Sequence, residues 1–275
     1  MKSKVLYNRE KEKLSIVKIG GNIVDNPAEL QKFLIDFNML KGLKILIHGG
    51  GAIATKMAEQ LGIETKKVQG RRITDSETLK LVTMVYAGLI NKNIVASLQS
   101  IGCNAIGLTG ADANCIPSIR RSPEPVDFGF VGDPDPQRVN KTFIVELLEN
   151  ASIPVFCAIT HDGEGSLLNT NADTIAYTVA SALSDIYKTT LYYCFEKEGV
   201  LMDLNNPESL IETIDIDEYN KLIQQGVIAD GMIPKLFNSF NAISQGVSEV
   251  IILHAKNLLT GKGTKLLSFF QIRLT

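Results

Sequence analysis

Cysteine and histidine are scarce in this 275-residue chain, with four and three respectively, and neither is arranged to bind metal. Cys103, Cys115, Cys157 and Cys194 are dispersed, no C-x-x-C pair occurs, and no histidine stands at ligand spacing. This argues against a zinc site and for buried thiols in a reducing compartment. A large charge imbalance is also missing. The formal net charge of -2 leaves no basic surface for nucleic acid or an anionic membrane, so any bound anion must be met locally. Clusters such as Lys66-Lys67 then read as solvated surface. Met1 to Lys13 is highly charged without an apolar core, and no later run approaches the roughly 20 apolar residues of a membrane span. Neither a signal peptide nor an anchor is expected, and the cytoplasm is the expected location. No G-x-x-x-x-G-K-[ST] is present, which excludes a P-loop, and no G-x-G-x-x-G opens a helix, which disfavours a Rossmann dinucleotide site. His48, His161 and His254 are too scattered for a Ser/His/Asp or Cys/His arrangement, and His48 reads as structural. There is no internal repeat or low-complexity tract.

What the chain does have is an alternation of strand-like and helix-like segments. With 45% hydrophobic and 21% charged residues it can fill one large sheet domain or two lobes. Leu14 to Ile19 reads as a strand, and Pro27 starts a helix with Leu30, Phe33, Leu34, Phe37 and Leu40 on one face. Lys44 to Ile47 returns as a strand, so the unit is βαβ and the sheet is expected to be mainly parallel. A helix with Ile53, Met57 and Leu61 follows, then a longer one from Asp75 with Leu79, Val82, Tyr86 and Leu89 inward. Asn104 to Leu108 is a strand, and the proline-rich stretch from Ile116 to Pro136 reads as an antiparallel flap at the sheet margin. Val139 to Glu149 is a helix and Ile153 to Ile159 a strand; the polar turn His161 to Gly165 marks an expected border between lobes 1–165 and 166–275. In the second half, Asn171 and Asp173 start a helix with Ile175, Val179 and Leu183 on one side, and Thr189 to Phe195 is a strand. Helices are expected around Ile216 to Gln225 and from Lys235 onward, Glu249 to Leu253 is the last clear strand, and Gly261 to Lys265 reads as a glycine-rich turn.

Two strand ends carry the chemistry. Ser15-Ile16-Val17-Lys18-Ile19-Gly20-Gly21 and Ile45-Leu46-Ile47-His48-Gly49-Gly50-Gly51 both break from an apolar run into glycines. Glycines after a strand let backbone N–H groups approach an anion, and a helix N-terminus beyond them adds its dipole, so together the turns suit a phosphate. Lys18 just before the break is a charge in a strand that would otherwise be buried, and beside those glycines it calls for an anionic partner rather than mere snorkelling. Lys235, a cation in the first turn of a helix, opposes the macrodipole and suits an anionic ligand at that end. Asp173 is either a helix cap or a carboxylate that holds both lysines by charge-assisted hydrogen bonds. Asn169 and Asn171 serve either as turn residues or as amides for a substrate. Of Arg71 and Arg72, one would grip a carboxylate and the other face solvent.

Taken together, Lys18-Ile19-Gly20-Gly21, His48-Gly49-Gly50-Gly51, Gly70-Arg71-Arg72-Ile73-Thr74, Asn169-Thr170-Asn171-Ala172-Asp173 and Asp230-Gly231-Met232-Ile233-Pro234-Lys235 resemble the N-acetylglutamate kinases of the amino acid kinase family. Gly107 to Asn114 and Val126 to Gly132 resemble that family's flap region. The resemblance implies an open αβα sandwich with an acylglutamate lobe and a nucleotide lobe, ATP as phosphoryl donor, and Mg²⁺ on the nucleotide phosphates rather than on protein ligands. It implies that Lys18 and Lys235 stabilise the transferring group and that Asp173 positions them. Gly20, Gly21, Gly50 and Gly51 would line the phosphate, and Arg72 and Asn169 would hold substrate carboxylates. It further implies a role in arginine biosynthesis. Phe195-Glu196-Lys197-Glu198-Gly199-Val200 departs from the family's Ser/Thr-Asp pattern, so nucleotide contacts there do not carry over. The short lead lacks the long N-terminal helix of arginine-inhibited hexameric relatives, so a homodimer is expected. The alternatives are the same chemistry on N-succinyl-L-glutamate, suggested by Arg71 and Arg120-Arg121, another activity of the family, or a non-catalytic nucleotide-binding module.

Overall fold

The computed structural model describes residues 11–68, 71–229 and 232–267. The motif residues Gln69-Gly70 and Asp230-Gly231, the lead before Lys11 and the C-terminal tail lie outside the described residues.

Eight strands form one sheet: β1 (Lys13–Ile19), β2 (Leu43–His48), β3 (Ala105–Leu108), β4 (Ile153–Cys157), β5 (Lys188–Phe195), β6 (Thr213–Ile214), β7 (Glu249–His254) and β8 (Gly263–Leu266). Their spatial order is β6-β8-β7-β5-β1-β2-β4-β3, and every neighbouring pair is parallel except β7 with β8. The inner strands read as continuous apolar runs because helices cover both faces: Ile16, Val17, Ile45, Leu46, Ile47 and Leu191 are all buried. The first half of the chain builds outward from β1 on one side and the second half from β5 on the other. The boundary between β1 and β5 is therefore the topological switch point, where open α/β sheets bind ligands at the carboxyl ends of their strands.

Helices α1 (Pro27–Met39), α2 (Gly51–Gln60), α3 (Ser76–Ser100), α4 (Lys141–Glu149), α5 (Ala172–Leu183), α6 (Ile216–Gln224) and α7 (Met232–Ser244) flank the sheet. Their starts follow from short polar side chains: Asn26, Asp75, Asn140, Asn171 and Asp215 each accept a first-turn backbone N–H. Three small hairpins gather at the carboxyl ends of β2 and β4. They pair Lys67–Val68 with Arg71–Arg72, Ser118–Arg120 with Gly132–Pro134, and Ile159–His161 with Leu167–Asn169. Bridges Thr74 to Gly129 and Val131 to Asn169 tie them together. The flap expected at the sheet margin thus folds over the strand ends. Gly129 is required there, since its φ of 72° and the Thr74 carbonyl 2.2 Å from any added Cβ exclude a side chain.

Several expectations are corrected. The turn at Gly261 to Lys265 carries β8, which pairs antiparallel with β7, so β7 is not the last strand. Ile153 to Ile159 is divided into β4 and the start of a hairpin, and the polar turn His161 to Gly165 is that hairpin's loop. Leu89 is 44% exposed and Ile90 is buried in its place. The cause is a π-helical stretch, Met84–Ile90, inside α3, whose wider i→i+5 turn shifts the inward face by one residue. Leu61 is likewise exposed, while Ala54 and Ala58 form the buried face of α2. Among the described residues, α3 alone is by length and composition apolar enough to cross a membrane, contrary to the expectation of no such run. Its face of Leu81, Val82, Val85, Tyr86, Ile94 and Leu98 packs into the core instead.

Candidate active site

A cavity of about 270 Å³ opens at the carboxyl ends of β1 and β2, under the three hairpins. Lys18 and Ile19 enter it from β1, Gly49, Gly50 and Gly51 from the turn after β2, and Asn169 to Asp173 from the start of α5. The glycine turn cannot be replaced by a bulkier residue at Gly50, where an added Cβ would lie 2.1 Å from the Ile90 side chain and 3.1 Å from the Tyr86 ring. The 10-residue helix α2 begins at Gly51, so its free N–H groups and dipole face the same space. Gly21 also lines the cavity, with open room where a Cβ would be. Gly20 does not line it. It lies between the strands, with its N–H donating to the Cys194 carbonyl at 2.8 Å.

Lys18 and Asp173 form an ion pair at 2.7 Å, with the side chains 12% and 19% exposed. Asp173 is not the cap of α5, because Asn171 holds that position and accepts the Asp173 backbone N–H at 2.7 Å. The two readings of Asp173 are thereby separated, since its carboxylate is turned to the lysines. Burial opposes its ionisation, yet Lys18 and then Lys235 outweigh that and hold its carboxyl below the usual range. Lys235 is the fourth residue of α7, and its Nζ lies 4.6 Å from the centre of the Phe195 ring. Burial pulls its pKa below the usual lysine value; Asp173 raises it and Lys18 lowers it, so one carboxylate is shared by two lysines. The charge of Glu196 also raises the pKa of Lys235, and the Phe195 ring is what brings the departing stretch against that lysine.

Arg72, rather than Arg71, is the enclosed arginine at 8% exposure. Its Nη2 donates to the Gly51 carbonyl at 3.0 Å and to Thr55 Oγ1 at 2.7 Å, and among the described residues its buried Nη1 has no partner. A buried guanidinium edge without an acceptor is costly, and a carboxylate entering the cavity would satisfy it. Asn169 lines the cavity and donates from Nδ2 to Thr74 Oγ1 at 3.0 Å. His48 is fully buried, its ring nitrogens meeting the Gly49 carbonyl at 2.8 Å and Asn91 Nδ2 at 3.1 Å. Burial lowers its pKa to about 4, so it is neutral and structural, as the sequence suggested. All four cysteines are buried free thiols; burial pushes Cys115 and Cys157 up to about 12, too high for nucleophilic use.

Lining residues that the sequence did not single out are Tyr86, Lys67 and Thr170. Tyr86 sits on the inward face of α3 at helical spacing and reads as core, and Lys67 was assigned to solvated surface. Arg121 also lines the cavity, whereas its neighbour Arg120 is spent outside it, donating to the Gly129 carbonyl and stacking on Phe130.

A parallel sheet whose switch point carries glycine turns, a helix N-terminus and two lysines bracketing one carboxylate defines an anion-handling α/β protein suited to phosphoryl groups. The chain belongs to the amino acid kinase family, which residues 13–254 match. It is 56% identical over 261 residues to the acetylglutamate kinase of Bacteroides fragilis, covering 95% of this chain and 99% of that protein. It is 55% identical over 254 residues to the acetylglutamate kinase of Phocaeicola vulgatus, covering 92% and 98%. Among solved structures it resembles smu.665 from Streptococcus mutans UA159, with 28% identity, a TM-score of 0.77, and coverage of 92% and 98%.

Proposed function

We propose that this chain transfers the γ-phosphoryl group of ATP to the side-chain carboxylate of an N-acylated L-glutamate, N-acetyl-L-glutamate by the names of its relatives, giving the acylglutamyl 5-phosphate used in arginine and ornithine biosynthesis. The observation that carries this reading is the Lys18–Asp173 ion pair with Lys235 sharing the same carboxylate, set at the mouth of the glycine turns. A glutamate side chain, with a reference pKa of about 4.3, is already ionised at neutral pH and needs no general base. Among the described residues the site offers none: His48 is sealed and neutral, and Asp173 is paired with Lys18. The obstacle is repulsion between two anions. Lys18, Lys235 and the N–H groups of Gly21, Gly50 and Gly51 answer it by stabilising charge that moves onto the transferring oxygens. Arg72 and Asn169 hold the α-carboxylate end.

Among the described residues no group of three or more His, Cys, Asp or Glu is placed to hold a metal. In this reading Mg²⁺ would enter on the ATP phosphates, whose charge it would neutralise. The same reading divides the chain into an acceptor lobe, 1–165, and a nucleotide lobe, 166–275. It places the protein in the cytoplasm, with small-molecule partners and neither nucleic acid nor membrane. It pairs two copies as a homodimer, supported by exposed Met84 and Leu89 on α3 and Ile106 on the edge strand β3. Incubation with ATP, Mg²⁺ and N-acylated glutamates in the presence of hydroxylamine traps the acyl phosphate as a coloured hydroxamate. Formation of ADP without hydroxamate, or no turnover with any acylglutamate, refutes the assignment.

A further inference from the structure

The acceptor end of the cavity holds more positive charge than a glutamate and a phosphoryl group require. Among the described residues its lining carries Lys18, Lys67, Arg71, Arg72 and Arg121 against the single carboxylate of Asp173. Arg72 reserves its unpartnered Nη1 for one carboxylate, and Lys18 with Lys235 faces the transferring group. Lys67, Arg71 and Arg121 remain, and two of them are guanidiniums that can fork onto one carboxylate: Arg71 from the Lys67–Val68/Arg71–Arg72 hairpin and Arg121 from the end of the flap strand Ser118–Arg120.

These two guanidiniums are held together against their own repulsion. Arg71 is pulled below the usual arginine range by burial and then by Arg121, with Asp133 opposing. Arg121 is fixed in place: Nε and Nη2 both donate to the Asp133 carboxylate, and the Phe128 ring lies 5.4 Å from its guanidinium carbon. That two-pronged bond uses one edge of the fork. Among the described residues its Nη1 has no protein partner, and the Arg71 side chain has neither an ion pair nor a hydrogen bond. Asp133 neutralises one charge of the pair and leaves the other uncompensated at the cavity wall.

We propose that the acyl group of the substrate ends in a carboxylate held between Arg71 and Arg121, so that an ω-carboxyacyl glutamate, of which N-succinyl-L-glutamate is the simplest four-carbon case, is used in preference to N-acetyl-L-glutamate. This rests on the acylglutamate reading of the cavity. An acetyl methyl would leave both guanidiniums without an anion beside an apolar group, whereas a terminal carboxylate meets them with two parallel hydrogen bonds. Discrimination of this kind is large because the site's polar groups are left unpaired by the shorter analogue.

The test is hydroxamate formation by the full chain with ATP, Mg²⁺ and each of the two acylglutamates, repeated for Arg71→Gln and Arg121→Gln. The expected result is a kcat/KM about tenfold or more higher for N-succinyl-L-glutamate. Each variant then loses about tenfold of that value, mostly through KM, while its kcat/KM for N-acetyl-L-glutamate stays within about threefold. Among the described residues the Arg71 side chain makes no protein bond, so Arg71→Gln is expected to fold even if losing the Asp133 pair destabilises Arg121→Gln. Equal use of the two substrates, a preference for acetyl, or an equal loss on both substrates in Arg71→Gln overturns the inference and leaves the acylglutamate reading standing. Turnover of neither substrate overturns both.

Discussion

Replacing Asp173 by Asn keeps the shape of the side chain and removes the only anion from a group of three charges. Lys18 and Asp173 are 12% and 19% exposed and lie 2.7 Å apart, which makes theirs a nearly buried pair. Removing one partner of a sealed pair costs about 3–5 kcal/mol. Here both side chains border the cavity, where water reaches the orphaned ammonium, so the expected loss of stability is about 1–3 kcal/mol. At roughly 2–4 °C per kcal/mol, the melting temperature falls by about 2–12 °C. Activity falls further. Without the shared carboxylate the two lysines repel and leave their places, and loss of one such stabilising element costs about 2.7–4 kcal/mol, or 10²–10³ in kcat. The pH profile supplies a separate signature. Lys235 is already depressed by burial and Lys18, with Asp173 opposing; in the variant its pKa falls further. A lysine is charged below its pKa, so the activity of Asp173→Asn is lost on raising the pH earlier than that of wild type. Steady-state hydroxamate rates across pH, with thermal melts of both proteins, measure all three effects. A variant that melts early but keeps kcat within about threefold refutes the shared-carboxylate argument.

Lys18→Ala and Lys235→Ala are each expected to lower kcat by about 10²–10³ with a much smaller rise in KM, because both charges act on the transition state; a pure KM effect in both contradicts their roles. Arg72→Lys keeps the charge but loses the fork that spans Gly51, Thr55 and the ligand, so KM for the acylglutamate rises about tenfold or more while KM for ATP stays nearly unchanged. His48 takes up a proton at about 4 in the folded chain against 6.5 unfolded, so its contribution is intact above 6.5 and is lost as pH falls toward 4, up to roughly 3 kcal/mol. Urea midpoints of wild type and His48→Gln between pH 7 and 4 should show a shallower decline in the variant; parallel declines argue against a buried neutral imidazole.

The fold was readable where one rule sufficed. The buried strands β1, β2 and β5 announce themselves as apolar runs, and polar caps such as Asn26 and Asn171 mark their helices. Periodicity failed at Leu89, because a π-helical turn changes the period without any change in composition. It failed again at β6 and β8, strands of two and four residues that are too short to show an alternation. At the site, Lys18 and Lys235 were visible as charges in the wrong place. Asp173 was ambiguous because a first-turn aspartate has two uses, and only the position of Asn171 as the cap decides between them. Arg71 and Arg72 are adjacent in a two-residue strand, and the choice between them depends on Thr55 and Gly51, which are distant in sequence. Lys67, Tyr86 and Arg121 reach the cavity through tertiary packing alone, with nothing local to mark them.

β1 lies between β2 and β5, so the strand that carries Lys18 completes its pairing only when residues 188–195 arrive. During synthesis, at about 5–20 residues per second, the edge of β1 that will meet β5 waits on the order of ten seconds or more after β2 has emerged. For that interval the nascent chain presents Leu14, Ile16 and Val17 beside unsatisfied backbone groups, a surface that invites pairing with another chain. The arrangement that places the lysine at the centre of the sheet thus also makes the first half of the protein dependent on protection at the ribosome. A truncated chain ending near residue 165 is expected to aggregate where the full-length chain folds.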